Sequence, residues 1–104
     1  MIIVTTERIP GRETDQVLGL VRGNAVRARN IGRDILALFR NIIGGELKGY
    51  TQLQTESREQ ATERMIAEAE TLGADAVVMV RYTTSMIAGG ASEIMAFGTA
   101  VKLK

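Results

Sequence analysis

Two groups of side chains in this sequence have the types and spacing to hold a ligand. The first is Arg33, Asp34, Arg40, Asn41 and Tyr50. On a helix Arg33 and Arg40, seven apart, share one face, and Asp34 and Asn41 share the neighbouring one. Arginine forks suit carboxylates and phosphates, so this cluster could bind an anion or, repeated around a symmetry axis, line a pore. The same residues suit a salt-bridge network between subunits. The second group is Ser92, Glu93 and Thr99, with Glu93 the carboxylate nearest the last apolar run. A buried or interfacial glutamate needs a partner; Arg81, on the adjacent strand, is the candidate. Structural pairing and a metal or catalytic role are both open to Glu93. Asn24 and Asn30 complete the candidate ligand-binding or interface residues: Asn24, Asn30, Arg33, Asp34, Arg40, Tyr50, Ser92 and Glu93.

Composition removes most other chemistry. The chain has no Cys and no His, so a thiol nucleophile, a Ser-His-Asp triad, an imidazole shuttle and a Cys/His zinc site are all excluded. A divalent metal, of unknown identity, could meet only carboxylates, carbonyls, hydroxyls and thioethers. Of the five methionines, Met65, Met79 and Met95 fall where core packing is the simpler role. Thirteen basic and twelve acidic residues leave a net charge of +1, no field to attract nucleic acid or acidic lipid. Gly44-Gly45 and Gly89-Gly90 lack the following Lys-Ser/Thr of a phosphate-binding loop. No catalytic pair stands at diagnostic spacing, and the expected class is non-enzymatic.

The elements that must position these residues are legible. A length of 104 residues is one domain, 1–104. Ile2 to Thr6 is β-branched and reads as a short strand, followed by a polar loop with Pro10-Gly11. Gln16 to Arg29 reads as a strand in which Gly19 and Gly23 share a face, a sign of a bulge or of a closely packed backbone. Ile31, Ile35, Leu38, Phe39 and Ile42 form a helical stripe, with Asn30 as N-cap and Gly44-Gly45 as stop. Thr51-x-x-Gln54 has capping-box form and predicts a helix to about Leu72, stopped by Gly73. Its inner face would be Leu53, Ser57, Ala61, Met65, Ala69 and Leu72. Asp75 to Thr84 and Glu93 to Leu103 read as hairpin strands around a loop from Ser85 to Ser92. The Met1–Val4 run is too short for a signal peptide, and no stretch reaches the about 20 apolar residues of a membrane span. A cytoplasmic location without membrane contact is expected.

Three of these strands carry apolar residues on both faces, yet one long helix can cover only one side of a sheet. A second copy of the chain is the simplest source of the missing layer.

With the elements in place, an ordered set of motifs resembles the YbjQ family (UPF0145), also called the "putative heavy-metal-binding domain". They are Gly23-Asn24-Ala25-Val26, Asn30-Ile31-Gly32-Arg33-Asp34, Gly44-Gly45, Gly49-Tyr50, Gly73-Ala74-Asp75-Ala76-Val77 and Ser92 to Val101. The resemblance covers essentially the whole chain. It implies an α+β subunit, similar to that of dodecin, with a small, curved, mainly antiparallel sheet around one long helix plus a short one. It also implies a homopentameric ring, binding of a heavy metal or small ligand between subunits as the family's label suggests, and no established activity. A purely structural or protein-interaction ring is the alternative.

Overall fold

The computed structural model describes residues 1–27, 42–43, 46–87 and 91–104, with backbone alone over 42–43 and 46–54. The elements are β1 (Ile2–Ile3), β2 (Thr14–Arg27), β3 (Ile42–Ile43), β4 (Glu46–Leu47), α1 (Lys48–Thr71), β5 (Ala76–Ile87) and β6 (Ala91–Leu103). The main sheet runs β1-β5-β6-β2. Its three long strands are antiparallel neighbours, and the two-residue β1 lies parallel to β5. The expected α+β architecture, a mostly antiparallel sheet under one long helix, is therefore present.

The face of α1 turned to the sheet follows the predicted spacing. Ser57, Ala61, Met65 and Ala69 are buried, one on each turn. Small side chains there let the helix backbone settle onto Gly23 of β2, where even a Cβ would collide with the Ala61 carbonyl and the Met65 amide. The helix ends in a Schellman turn. Gly73 takes the left-handed conformation (φ +75°), its amide donates to Glu70 O (3.0 Å), and the Ala74 amide donates to Ala69 O (3.1 Å). Leu72, expected on the inner face, is 44% exposed, because that turn swings it off the stripe. The helix also starts at Lys48, ahead of the predicted Thr51, since β4 runs into it directly. Gly49 falls in the first turn, where amides lack helical partners anyway.

Ile42 is not the end of a helical stripe. It pairs with Leu47, and Ile43 with Glu46, in a small antiparallel ladder; a Gly-Gly pair between such residues is a hairpin signal as much as a helix stop. The rest of the predicted short helix lies outside the described residues. Both hairpin strands also run further than expected, to Ile87 and from Ala91.

Two bulges set which residues face the helix. One lies in β2 between Val17 and Gly19, where Gly19 has φ +126°, as the paired glycines suggested. The other lies in β5 between Val78 and Arg81. It gives Met79 a left-handed φ of +56° and turns Val80 to the same side as Val77, so both join the core under α1 with Val21, Ala25, Ala96 and Ala100. Simple alternation would put Val78 and Val80 on one face, and Met79 was expected in the core; the extra residue reverses the phase, and Met79 is 41% exposed. The bulge is held by the N-terminal segment: Met79 N donates to Thr6 O and Val80 N to Val4 O, each at 3.0 Å. A non-glycine residue in this conformation costs about 1–2 kcal/mol. Met79→Gly is therefore expected to raise stability by about 0.5–1 kcal/mol in urea unfolding; a loss of stability would show that the exposed thioether packs usefully.

A smaller core forms on the opposite side of the sheet, where Val4, Ile9 and Leu103 pack over Ala76, Val78 and Val101. The loop that carries Ile9 is a tight turn through Pro10 and Gly11 (φ +79°), closed by Arg12 N to Ile9 O at 3.1 Å. The second layer expected wholly from another copy is thus supplied at one end by the chain itself.

Candidate functional site

Beyond that N-terminal cover the sheet face opposite α1 is open among the described residues. Residues directly opposite one another in a ladder point to the same face, so the register builds this face row by row. Leu20, Thr99 and Val78 form the first row, then Arg22, Phe97 and Arg81, then Asn24, Met95 and Thr83, and last Val26, Glu93 and Ser85. Leu20 is 64% exposed and Val26 56%, with Ile87 beyond the last row at 41%. Met95 and Phe97 are half-buried between them. Each row of the face therefore carries at least one apolar side chain among polar ones, with arginines in the second row and a carboxylate in the fourth.

The structure brings two of the sequence-predicted residues together. Asn24 Nδ2 donates to Glu93 Oε1 at 2.9 Å, a diagonal contact across β2 and β6 that fixes the carboxylate at the edge of the apolar strip. Arg81 is not the partner of Glu93. The hairpin register places Ser85 beside Glu93 and Arg81 beside Phe97, four residues or roughly 13 Å away along the strand. The Arg81 guanidinium instead donates to Thr5 O (2.9 Å) and Val80 O (2.8 Å), tying the N-terminal segment to the bulge. Ser92 pairs with Arg27 and Met86, so it points to the helix side, away from Glu93. Thr99 sits on the open face, three rows from Glu93. Asn30, Arg33, Asp34, Arg40 and Asn41 lie outside the described residues, and so does the side chain of Tyr50 in the first turn of α1.

Other polar contacts escaped sequence reasoning. Arg64 on α1 donates to the backbone carbonyl of Asn24, linking the helix to the outer strand. The hydroxyls of Thr62 and Tyr82 lie 2.8 Å apart. Around them a groove of about 290 Å³ is lined by Arg58, Glu59, Thr62, Glu63 and Tyr82. Tyr82 is twenty residues from Thr62, and only the packing of α1 beside β5 joins them. Among the described residues no three His, Cys, Asp or Glu side chains gather as metal ligands. No helix among them is long and apolar enough to cross a membrane.

Comparison with known proteins agrees along the entire length. The YbjQ family model, described as "Putative heavy-metal-binding", matches residues 1–104. A UPF0145 protein of Halorubrum lacusprofundi is 61% identical over 104 residues, covering 100% of both chains. Those of Psychromonas ingrahamii (58%) and Thermotoga maritima (56%) align over 100% of this chain and 99% and 98% of their own. A crystal structure of a protein of unknown function from Pediococcus pentosaceus, of the DUF74 family, superposes with a TM-score of 0.68 at 14% identity. It covers 100% of this chain and 98% of its own, a likeness of fold.

Proposed function

The chain belongs to the YbjQ family (UPF0145), and from that premise we propose that it is a non-enzymatic, self-assembling cytoplasmic protein whose ring serves as a structural or protein-interaction platform. The observation that carries this reading is the open sheet face, where Leu20 and Val26 are more than half exposed beside Phe97 and Met95. Large apolar side chains left exposed in several rows of one sheet face point to an interface, and another copy of the chain is the partner always present at matching concentration. Five copies is the ring size that the family resemblance implies. In this reading Asn24 and Glu93 form a polar boundary to the contact. Arg33, Asp34 and Arg40, with Asn30 and Tyr50, belong to the remaining subunit contacts.

The family's description raises a heavy metal held between subunits as the competing role. Thermal unfolding of the assembled protein across a panel of divalent metal ions separates the two. A structural or interaction ring is expected to show no specific stabilisation. A ligand that binds only the folded state raises stability by RT ln(1 + [L]/Kd), about 2.7 kcal/mol at one hundred times Kd. A midpoint that climbs steadily with the concentration of one metal would move the function to metal binding.

A further inference from the structure

The main sheet has two free edges of different kinds. On one side β2 is the outer strand over its whole length among the described residues. On the other, the N-terminal segment pairs with β5 only as far as Val80, so no described strand lies beside Tyr82 to Ile87. Neither edge carries a proline or a lysine, the residues that commonly blunt exposed strands. Both strands are antiparallel to β6 and hence run in the same direction.

The helix layer is displaced sideways relative to the sheet. It rests on β2, against Gly23, and its Arg64 reaches the Asn24 carbonyl of that outer strand. At the opposite side it meets β5 through the Thr62–Tyr82 contact and leaves the helix-side row of β5 largely exposed from Tyr82 onward. Tyr82 there is 43% exposed and Met86 88%. One side of the subunit thus has a helix at its edge, and the other has a strand end that the helix leaves largely exposed.

We infer that these unlike edges join: β2 of one copy lies in parallel beside Tyr82–Ile87 of the next, and the first copy's helix flank covers the second copy's exposed Tyr82 and Met86. The first copy's Arg64, held at that flank by the Asn24 carbonyl, then lies toward the second copy's groove of Arg58, Glu59, Thr62, Glu63 and Tyr82, where carboxylates outnumber the one arginine. The inference rests on the self-assembly reading above and adds to its face contact a second contact, between sheet edges. Such a contact is head to tail, so repetition by rotation closes a ring and leaves no open strand.

The chain has no Cys, so introduced thiols report alone. Val26→Cys in β2 would be combined in turn with Thr83→Cys, Ser85→Cys and Ile87→Cys in β5, all exposed positions on one face. Within a subunit β6 lies between Val26 and Ser85, a gap of about 9–10 Å against a disulfide reach of about 7 Å between Cα atoms. Oxidation of at least one double variant is expected to give a ladder of covalent multimers ending at the ring size, while each single variant stays uncrosslinked. A covalent dimer from Val26→Cys alone would show two β2 strands meeting and overturn the inference. So would the absence of any ladder in variants that native mass spectrometry shows as intact rings, and self-assembly itself would then stand. A protein monomeric throughout would overturn both.

Discussion

Replacing Gly23 by valine is expected to unfold the protein or to remove at least 3 kcal/mol of its stability. Gly23 is buried in β2, and a Cβ built there lands against the Ala61 carbonyl oxygen and the Met65 amide nitrogen, with the Arg64 carbonyl carbon 2.8 Å away. All three are backbone atoms of α1. No side-chain rotation relieves them, and truncating Ala61 to glycine gives no rescue because the side chain is not what collides. The helix would have to lift off the sheet, opening a gap beside Ala61, Met65 and Ala69, which are fully buried. Overpacking a good core costs about 1–3 kcal/mol for added methylenes. Here the strain and the lost burial act together, against a total stability of about 5–15 kcal/mol for such a domain. With a urea dependence of about 1–3 kcal/mol per molar, a loss of 3 kcal/mol moves the midpoint down by roughly 1 M or more. Gly23→Ala is expected to show the same effect at smaller size. A valine variant with an unchanged midpoint would mean that the helix does not sit where the structure places it.

The second large effect concerns assembly. Leu20→Asp with Val26→Asp is expected to leave the subunit folded and break the oligomer. Both side chains are exposed in the subunit, 64% and 56%, so the carboxylates cost little there, and the circular dichroism spectrum should hold. In a contact that covers the face each would be buried without a partner, a penalty of about 3–5 kcal/mol. At 1.4 kcal/mol per tenfold, one such charge weakens association by roughly a hundredfold or more. Sedimentation of the double variant as an intact oligomer would show that this face takes no part in the assembly.

What the sequence discloses and what it hides divide along one physical line. Features set by local spacing were legible. Ser57, Ala61, Met65 and Ala69 are buried at helical intervals, Gly73 stops the helix, and Gly19 and Gly23 supply the bulge and the close approach. Features set by a distant segment were not. The bulge at Met79 depends on hydrogen bonds that the Met79 and Val80 amides donate to the Thr6 and Val4 carbonyls, which nothing in the Val-rich stretch around it announces. It reverses the faces of β5 and moves Val80 into the core. The glutamate on the last strand was expected to meet Arg81, but register decides such pairs, and it gives Glu93 to Asn24. Ile9 sits in a polar loop, yet it covers part of the face that looked unprotected. The two-faced apolar pattern of the strands pointed correctly to exposed sheet surface, because alternation survives even where its phase is misjudged.

Sedimentation velocity of the wild-type protein, followed on dilution into the micromolar range, tests the central claim most directly. Self-assembly predicts one species near five times the 11.3 kDa chain mass, holding together as concentration falls. A well-folded species at 11.3 kDa across that range would contradict it and leave the apolar sheet face without a partner of its own kind.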